Sequence, residues 1–419
     1  MQEFFFVLGK NAPLSLSEII SWLNRLKIKY TLNSFSQEIL LISTEADLTN
    51  NEIMKVLGGT VKFGKIFDRV DLEETEDKFN KIFAVENLKE KYFPSTKKKI
   101  HFGISIYNCG GEEKILEKLF GRIKELNLTV KRNLESQGVK AGFLLIKGDK
   151  LSSVSVAKNK LLGSEGAEIV LILTNKSIFI GKTIAVQEFA EFSFRDFGRP
   201  ARDKKSGMIP PKLARIMLNL SQADKNGIIL DPFCGSGTII QEAIMLGYMN
   251  LIGSDISEKA IFSAKKNIEW LFNSFRKINK SSYNIRWWVS DVRLLKNKLA
   301  NNSVDAVVTE PYLGPRLFKK PDKKSIQKIL ARLEGLYLEA FKNFKHILKP
   351  GGKIVIIFPV FTESGKSYFL EIIDDILKLG FTKENFMSFA LSQRGTIIYG
   401  GSDYFLNREI LIFKKGCRG

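Results

Sequence analysis

Histidine and cysteine are nearly missing from this chain of 419 residues, which holds 2 of the first and 3 of the second. Cys109, Cys234 and Cys417 are far apart and odd in number, so they offer neither a disulfide framework nor a metal-ligand spacing. No metal site is expected, and the compartment reads as reducing. Long apolar runs are missing as well: none approaches the roughly 18 residues of a membrane span. Residues 1–9 lack a basic region ahead of their apolar one, which argues against a secretory leader. A cytoplasmic protein with no membrane partner is the expectation. Acidic charge is the scarcer sign, with 45 Asp and Glu against 65 Lys and Arg, a formal +20. Such a surplus favours a polyanionic partner, nucleic acid first. Any one cluster, such as Lys97, Lys98 and Lys99, reads as well as a solvated surface.

What is present is the balance of a folded chain: 44% hydrophobic and 26% charged residues, over a length that calls for two or three domains. Residues 1–199 hold 30 basic and 25 acidic side chains, leaving 35 and 20 for the remainder, so most of the excess lies in the second half. Periodicity gives a strand at 3–8, a helix through Leu16, Ile19, Ile20, Leu23 and Leu26 capped by Ser15 or Ser17, strands near 28–35 and 38–44, a short helix near 50–57 and a strand near 60–67. This βαββαβ order suggests a ferredoxin-like unit over 1–70, bounded by the acidic run 68–77. A second α+β module over 71–185 has helices near 78–91 and 111–126 and strands near 101–107, 142–147, 168–173 and 177–181. Residues 186–210, interrupted by Pro and Gly, read as a linker. From 211 to 419 strands at 228–230, 251–253, 285–289, 306–309 and 353–358 alternate with helices near 211–221, 238–246, 257–273, 325–348 and 366–379. That alternation predicts a doubly wound, mostly parallel sheet, closed by an antiparallel hairpin from 385–398 and 408–414.

The chemistry concentrates in Asp231-Pro232-Phe233-Cys234-Gly235-Ser236-Gly237-Thr238, between an apolar strand and a helix. A glycine loop there lets a ligand approach the backbone. A dinucleotide fingerprint would need a third glycine where Ile240 stands, and Gly59-x4-Gly64-Lys65 lacks the hydroxyl of a triphosphate loop because Ile66 follows it. Asp255 ends the next strand, where a carboxylate can accept from two ribose hydroxyls, and Asp291 follows the third, where one can accept from an adenine amine. Each alone could be a helix cap. Together they outline a site for an adenosine without phosphates, which means S-adenosylmethionine. The expected cofactor set is Asp231, Phe233, Gly235, Gly237, Thr238, Asp255, Ile256, Asp291 and Val292.

The fourth strand ends in Thr309-Glu310-Pro311-Tyr312-Leu313-Gly314-Pro315. Amino methyltransferases place Asp, Asn or Ser followed by Pro-Pro and an aromatic there, since an exocyclic amine conjugated to its ring is a poor nucleophile. A side-chain oxygen and a carbonyl must hold it, and an aromatic ring must stack on the base. In the preferred register Glu310 takes the acidic position, with Pro311 and Tyr312 beside it. A one-residue slip would make Thr309 the polar group.

With these residues the chain resembles the THUMP-domain tRNA guanine-N(2) methyltransferases that modify guanosine at position 10. The most specific stretch is Arg195-Asp196-Phe197-Gly198-Arg199-Pro200-Ala201-Arg202-Asp203, then Ser206-Gly207-Met208-Ile209-Pro210-Pro211-Lys212-Leu213-Ala214-Arg215-Ile216-Met217. The opening Phe4-Phe5-Phe6-Val7-Leu8-Gly9 and Leu16-Ser17-Glu18-Ile19 resemble that family's first domain. The resemblance implies a ferredoxin-like domain, a THUMP domain gripping the tRNA acceptor end, a linker, and a Rossmann-fold class I methyltransferase domain. It implies methyl transfer from S-adenosylmethionine to a guanosine amine of tRNA, giving N(2)-methylguanosine or its dimethyl form, by a monomer. A small activating subunit is left open. Arg199, Arg202, Lys204, Lys205, Lys212 and Arg316 are the cations expected to face RNA. Glu-Pro-Tyr-Leu departs from the family's Asp-Pro-Pro-Tyr, which keeps ribosomal RNA or DNA as a substrate, and an inactive RNA-binding module, as alternatives.

Overall fold

Phe4, Phe5 and Phe6 are adjacent and all fully buried, so the strand that carries them is covered on both faces. Phe5 packs with Ile39, Leu41 and Ile172, while Phe4 and Phe6 meet the ring of Phe63 on the other side. A computed structural model describes all residues except 50–51, 73–82, 94–98, 145–147, 149, 165, 203–207, 318, 387–390, 402–403 and 417–419. Two units result, one of Met1–Ser15 with Lys27–Glu188, the other of Leu16–Leu26 with Phe189–Gly419.

The first unit is built on β1 (Gln2–Leu8), β2 (Tyr30–Phe35), β3 (Ile39–Thr44), β4 (Thr60–Asp71), β5 (Ile100–Asn108), β6 (Ala141–Phe143), β7 (Gly166–Leu173) and β8 (Ser177–Val186). They form one sheet in the order β2-β3-β1-β4-β8-β7-β5-β6. The segments 1–70 and 71–185 therefore share a sheet, joined by the antiparallel pairing of β4 with β8 from Lys62↔Val186 to Asp71↔Ser177. The acidic run expected to bound the first segment begins inside β4, and its residues 73–77 lie outside the described set. Gly64 sits within β4, where a Cβ would strike the ring of Phe5 and the carbonyl of Lys182, so it serves close strand packing and not a phosphate loop. The first helix, Ala12–Arg25, starts earlier than expected because Asn11 Oδ1 accepts the Leu14 amide at 3.1 Å; Asn11, not Ser15 or Ser17, caps it. The helix expected near 111–126 runs on to Glu135, and of that expected near 78–91 the described part is Val85–Tyr92. Of the expected strand 142–147, residues 145–147 lie outside the described set.

The second unit holds β9 (Ile228–Asp231), β10 (Asn250–Asp255), β11 (Asn284–Val289), β12 (Val304–Thr309), β13 (Leu348–Glu363), β14 (Lys366–Tyr368), β15 (Phe381–Lys383), β16 (Ile397–Tyr399) and β17 (Leu406–Lys415). Its sheet runs β11-β10-β9-β12-β13-β17-β15, parallel from β11 to β13, with β17 antiparallel on β13. From β9 the chain steps outward to β10 and β11 on one side, then returns to β12 and β13 on the other. The reversal leaves a crevice at the C-terminal ends of β9 and β12, the place where open α/β sheets take ligands. Helices Pro211–Ser221, Thr238–Met245, Glu258–Ser274 and Lys323–Ile347 lie where periodicity puts them. The helix expected over 366–379 does not form as such. Ser364 and Gly365 both take positive φ, 50° and 78°, a two-residue turn that folds β14 back on β13 and leaves only Ile373–Lys378 helical. The strand expected over 385–398 is likewise reduced to β16, which pairs with β17 as an antiparallel neighbour. Among the described residues no helix is long and apolar enough to cross a membrane.

Candidate active site

The glycine loop departs from the end of β9. Gly235 and Gly237 have φ of +50° and +86°, conformations L side chains rarely adopt, and a Cβ on Gly237 would also press to 3.1 Å from Ala264 Cβ. Three hydrogen bonds hold the loop open: Cys234 N donates to the Ser254 carbonyl at 2.9 Å, Gly237 N to the Cys234 carbonyl at 2.7 Å, and Gly235 N to Asp255 Oδ2 at 3.0 Å. The other Asp255 oxygen accepts the Ser257 amide at 2.9 Å. Asp255 thus ties the end of β10 to the loop while each oxygen keeps a lone pair for a ligand. Space opens above Gly235, where a Cβ would meet nothing within 4 Å. Backbone approach at Gly235, a half-buried carboxylate at Asp255 and the exposed apolar Ile256 beside it suit the ribose and methionine side of S-adenosylmethionine.

Asp291 is bonded within its own turn. It caps the turn that follows by accepting the Arg293 amide at 2.9 Å, and both its oxygens lie 3.0 Å from Arg293 Nε. That hydrogen-bonded guanidinium holds the carboxyl below the ordinary carboxylate range. Val292 next to it is buried, and Phe233 is half-buried against the same core.

Asp231, at the end of β9, is wholly buried. Its Oδ1 accepts the Thr309 hydroxyl at 2.7 Å and the Phe233 amide at 3.3 Å. Burial pushes it up to about 7; those two donors work against the rise, and the charges of Asp255 and Glu310 add to it. Thr309 is itself fully buried and turned onto Asp231. Of the two registers, Glu310 is therefore the residue whose polar group lies at the crevice, with its side chain 12% exposed and paired through Oε1 with Arg408 Nε at 2.5 Å. Pro311 is buried, Tyr312 is 55% exposed, and the Tyr312 carbonyl accepts the Tyr337 hydroxyl at 3.2 Å. Gly314, at φ +112°, turns the chain away. The structure brings the glycine loop, Asp231, Asp255, Thr309 and Glu310 to one crevice.

The stretch expected as linker and RNA contact does other work. Residues 189–197 are helical, and Arg195 is buried with its Nε 2.6 Å from Glu242 Oε1. Arg215 Nη2 meets Glu242 Oε2 at 2.6 Å, and both guanidinium groups lie 4.7 Å from the centre of the Phe192 ring. Arg199 is a correction to the RNA-facing set: it is 3% exposed, donates to Thr238 Oγ1 at 2.6 Å and pairs with Asp196, since Thr238 needs a partner at the buried start of its helix. Arg202 stacks at 4.9 Å on Phe197 and is half-buried; Lys212, over Phe192, and Arg316 are exposed. Lys204 and Lys205 lie outside the described residues. Asn267 was missed altogether: its side chain accepts from Ala201 N and donates to the carbonyls of Ala201 and Ser236, at 2.8 to 2.9 Å, stapling residues 195–202 to the glycine loop. A buried Asn on an otherwise ordinary helix carries no sequence signal.

Two family models match the chain, one described as RMKL-like, methyltransferase domain, over residues 199–364, the other as DNA methylase, over 18–266. A curated protein of Methanocaldococcus jannaschii named tRNA (guanine(10)-N2)-dimethyltransferase is 32% identical over 200 residues, 45% of this chain and 48% of its own length. A protein of the same name from Methanothermobacter thermautotrophicus is 31% identical over 154 residues, 36% of this chain and 39% of its own length. The chain thus spans about half or less of the length of these relatives. The crystal structure of TrmN from Thermus thermophilus aligns over 99% of this chain and 100% of its own with a TM-score of 0.52 at 15% identity. That of a possible methylase from Clostridium difficile 630 aligns over 100% and 99% with a TM-score of 0.51, also at 15%. This likeness is one of fold, the α/β fold of class I methyltransferases. With one model running over more than half of its length, the chain belongs to the methyltransferase family that the DNA methylase model describes.

Proposed function

We propose that this protein transfers a methyl group from S-adenosylmethionine to the exocyclic amine of a guanosine in tRNA, at position 10, giving N(2)-methylguanosine or the dimethyl form. The observation that carries the reading is the meeting, in one crevice, of a glycine loop braced by Asp255 and a Glu310-Pro311-Tyr312 strand end. The cofactor supplies a methyl group activated on a sulfonium. The backbone at Gly235 and Gly237 receives it, Asp255 accepts from its ribose hydroxyls, and the segment at Asp291 and Val292 borders its adenine. Glu310 and the Pro311 carbonyl accept from the target amine and hold its lone pair toward the methyl group, while the exposed ring of Tyr312 stacks on the base. Thr309 acts one step back, through Asp231. The +20 charge supports a phosphate-rich substrate. The βαββαβ order from Gln2 to Asp71 supports a ferredoxin-like segment over 1–70, and we read 71–185 as a THUMP segment and 186–210 as a connection. We read the protein as a cytoplasmic monomer, with a small activating subunit left open.

Methyl transfer from tritiated S-adenosylmethionine to total tRNA, followed by nucleoside mapping, tests the reading. Label in N(2)-methylguanosine or its dimethyl form is the expected result. Label in a methylated adenosine or cytidine, or transfer only to ribosomal RNA or DNA, would overturn it.

A further inference from the structure

Arg408 enters the crevice from an element that none of the motifs above includes. It lies on β17, opposite Pro359 of β13 and Tyr399 of β16, and its guanidinium reaches back past β13 to Glu310, 98 residues earlier in the chain. The Glu310 and Arg408 side chains are 12% and 25% exposed, so the pair is largely withdrawn from water yet open to the crevice. The contact uses Oε1 of one and Nε of the other. A carboxylate has two oxygens with about four lone pairs, and a guanidinium has five N–H donors in a fixed fork, so both groups keep bonding capacity beside each other.

We propose that Glu310 and Arg408 together read the Watson–Crick edge of the target base. Arg408 donates to the 6-oxo group, Glu310 accepts from N1–H and the 2-amine, and the pair thereby selects guanine. The inference rests on the reading of this crevice as a guanosine amino methyltransferase site and names the residue that sets its base choice. Guanine presents, in order along that edge, an amine, a ring N–H and a carbonyl: two donors and then an acceptor. A carboxylate next to a guanidinium is the complement, acceptors and then donors. Adenine and cytosine each present an amine beside an unprotonated ring nitrogen, so the second carboxylate oxygen would face a lone pair. Because the pair is largely desolvated, a base that leaves either group unmatched is rejected by more than the one missing bond. A salt bridge that merely fastened β17 to the end of β12 would hold the fold and be indifferent to the base.

The test compares tRNA transcripts that carry guanosine or 6-thioguanosine at the methylated position. Sulfur is a poor acceptor from N–H donors, whereas N1–H and the 2-amine are retained. Wild-type protein should transfer methyl to the 6-thioguanosine tRNA about tenfold or more slowly in single turnover. Arg408→Met should be slow on guanosine and lose no more on sulfur, with its affinity for S-adenosylmethionine unchanged. Equal wild-type rates on the two transcripts would overturn the proposal, and this comparison stands even if the variant does not fold. A variant as sensitive to sulfur as the wild type would overturn it too. A wild type that methylates guanosine but ignores the 6-oxo group defeats only this inference, whereas one that methylates adenosine or no RNA at all defeats the underlying reading as well.

Discussion

The second unit should lose stability as pH rises toward neutrality because of one carboxyl. Asp231 is wholly buried and pushed up to about 7 from an ordinary 3.8, chiefly because burial disfavours its charged form. In the unfolded chain it ionises near 3.8, so between the two values the folded protein keeps a proton that the unfolded chain has lost. The stability this contributes is complete below 3.8 and is gone once pH passes about 7. Each pH unit within the window is worth about 1.4 kcal/mol, and the whole window about 4 kcal/mol. Asp231→Asn keeps the shape and an acceptor for the Phe233 amide but removes the titration. Urea unfolding followed by tryptophan fluorescence isolates the effect, because all four tryptophans, Trp22, Trp270, Trp287 and Trp288, belong to the second unit. From pH 5 to 7 the wild type should lose about 2 kcal/mol relative to Asp231→Asn, and the difference should level off above pH 8. Thr309→Val removes a donor that favours the charged form, so the window should then extend to higher pH. Wild-type and Asp231→Asn curves that run parallel from pH 5 to 7 would refute the reasoning.

Asp255→Ala should lower S-adenosylmethionine affinity at least tenfold, because it removes an ionised acceptor and frees the Gly235 and Ser257 amides it now holds; calorimetry on the folded variant checks this, and unchanged affinity would count against it. Glu242→Ala strands Arg195 and Arg215 without their shared carboxylate and should cost about 3–5 kcal/mol in urea unfolding, far more than the same change at a surface pair. Asn267→Ala should cost about 1–3 kcal/mol and weaken cofactor binding, since Ser236 and Ala201 lose their buried partner. A stability loss with cofactor affinity intact would show that the staple serves packing alone.

The sequence by itself determined what depends on near neighbours in the chain. The strand, two glycines and helix around Asp231 spelled out a tight turn between strand and helix, and both glycines take the positive φ, +50° and +86°, that most other residues avoid. The alternation of strands and helices from 228 to 358 likewise fixed a parallel sheet with its crevice at Asp231 and Glu310. The turn at Ser364 and Gly365 was equally local, but the apolar residues after it matched a helical period, and only pairing with β13 decided for a strand. Tertiary structure alone decided the partnerships. Nothing near Arg199 in the chain shows that it turns inward to Thr238, and nothing near Asn267 shows that it staples the glycine loop. Whether Thr309 or Glu310 reaches the crevice turned on Asp231, 78 residues away, which holds the threonine hydroxyl. The pairing of Glu310 with Arg408 exists only because β17 returns antiparallel along β13, and a cation's sequence neighbours carry no record of which carboxylate a distant strand will bring to it.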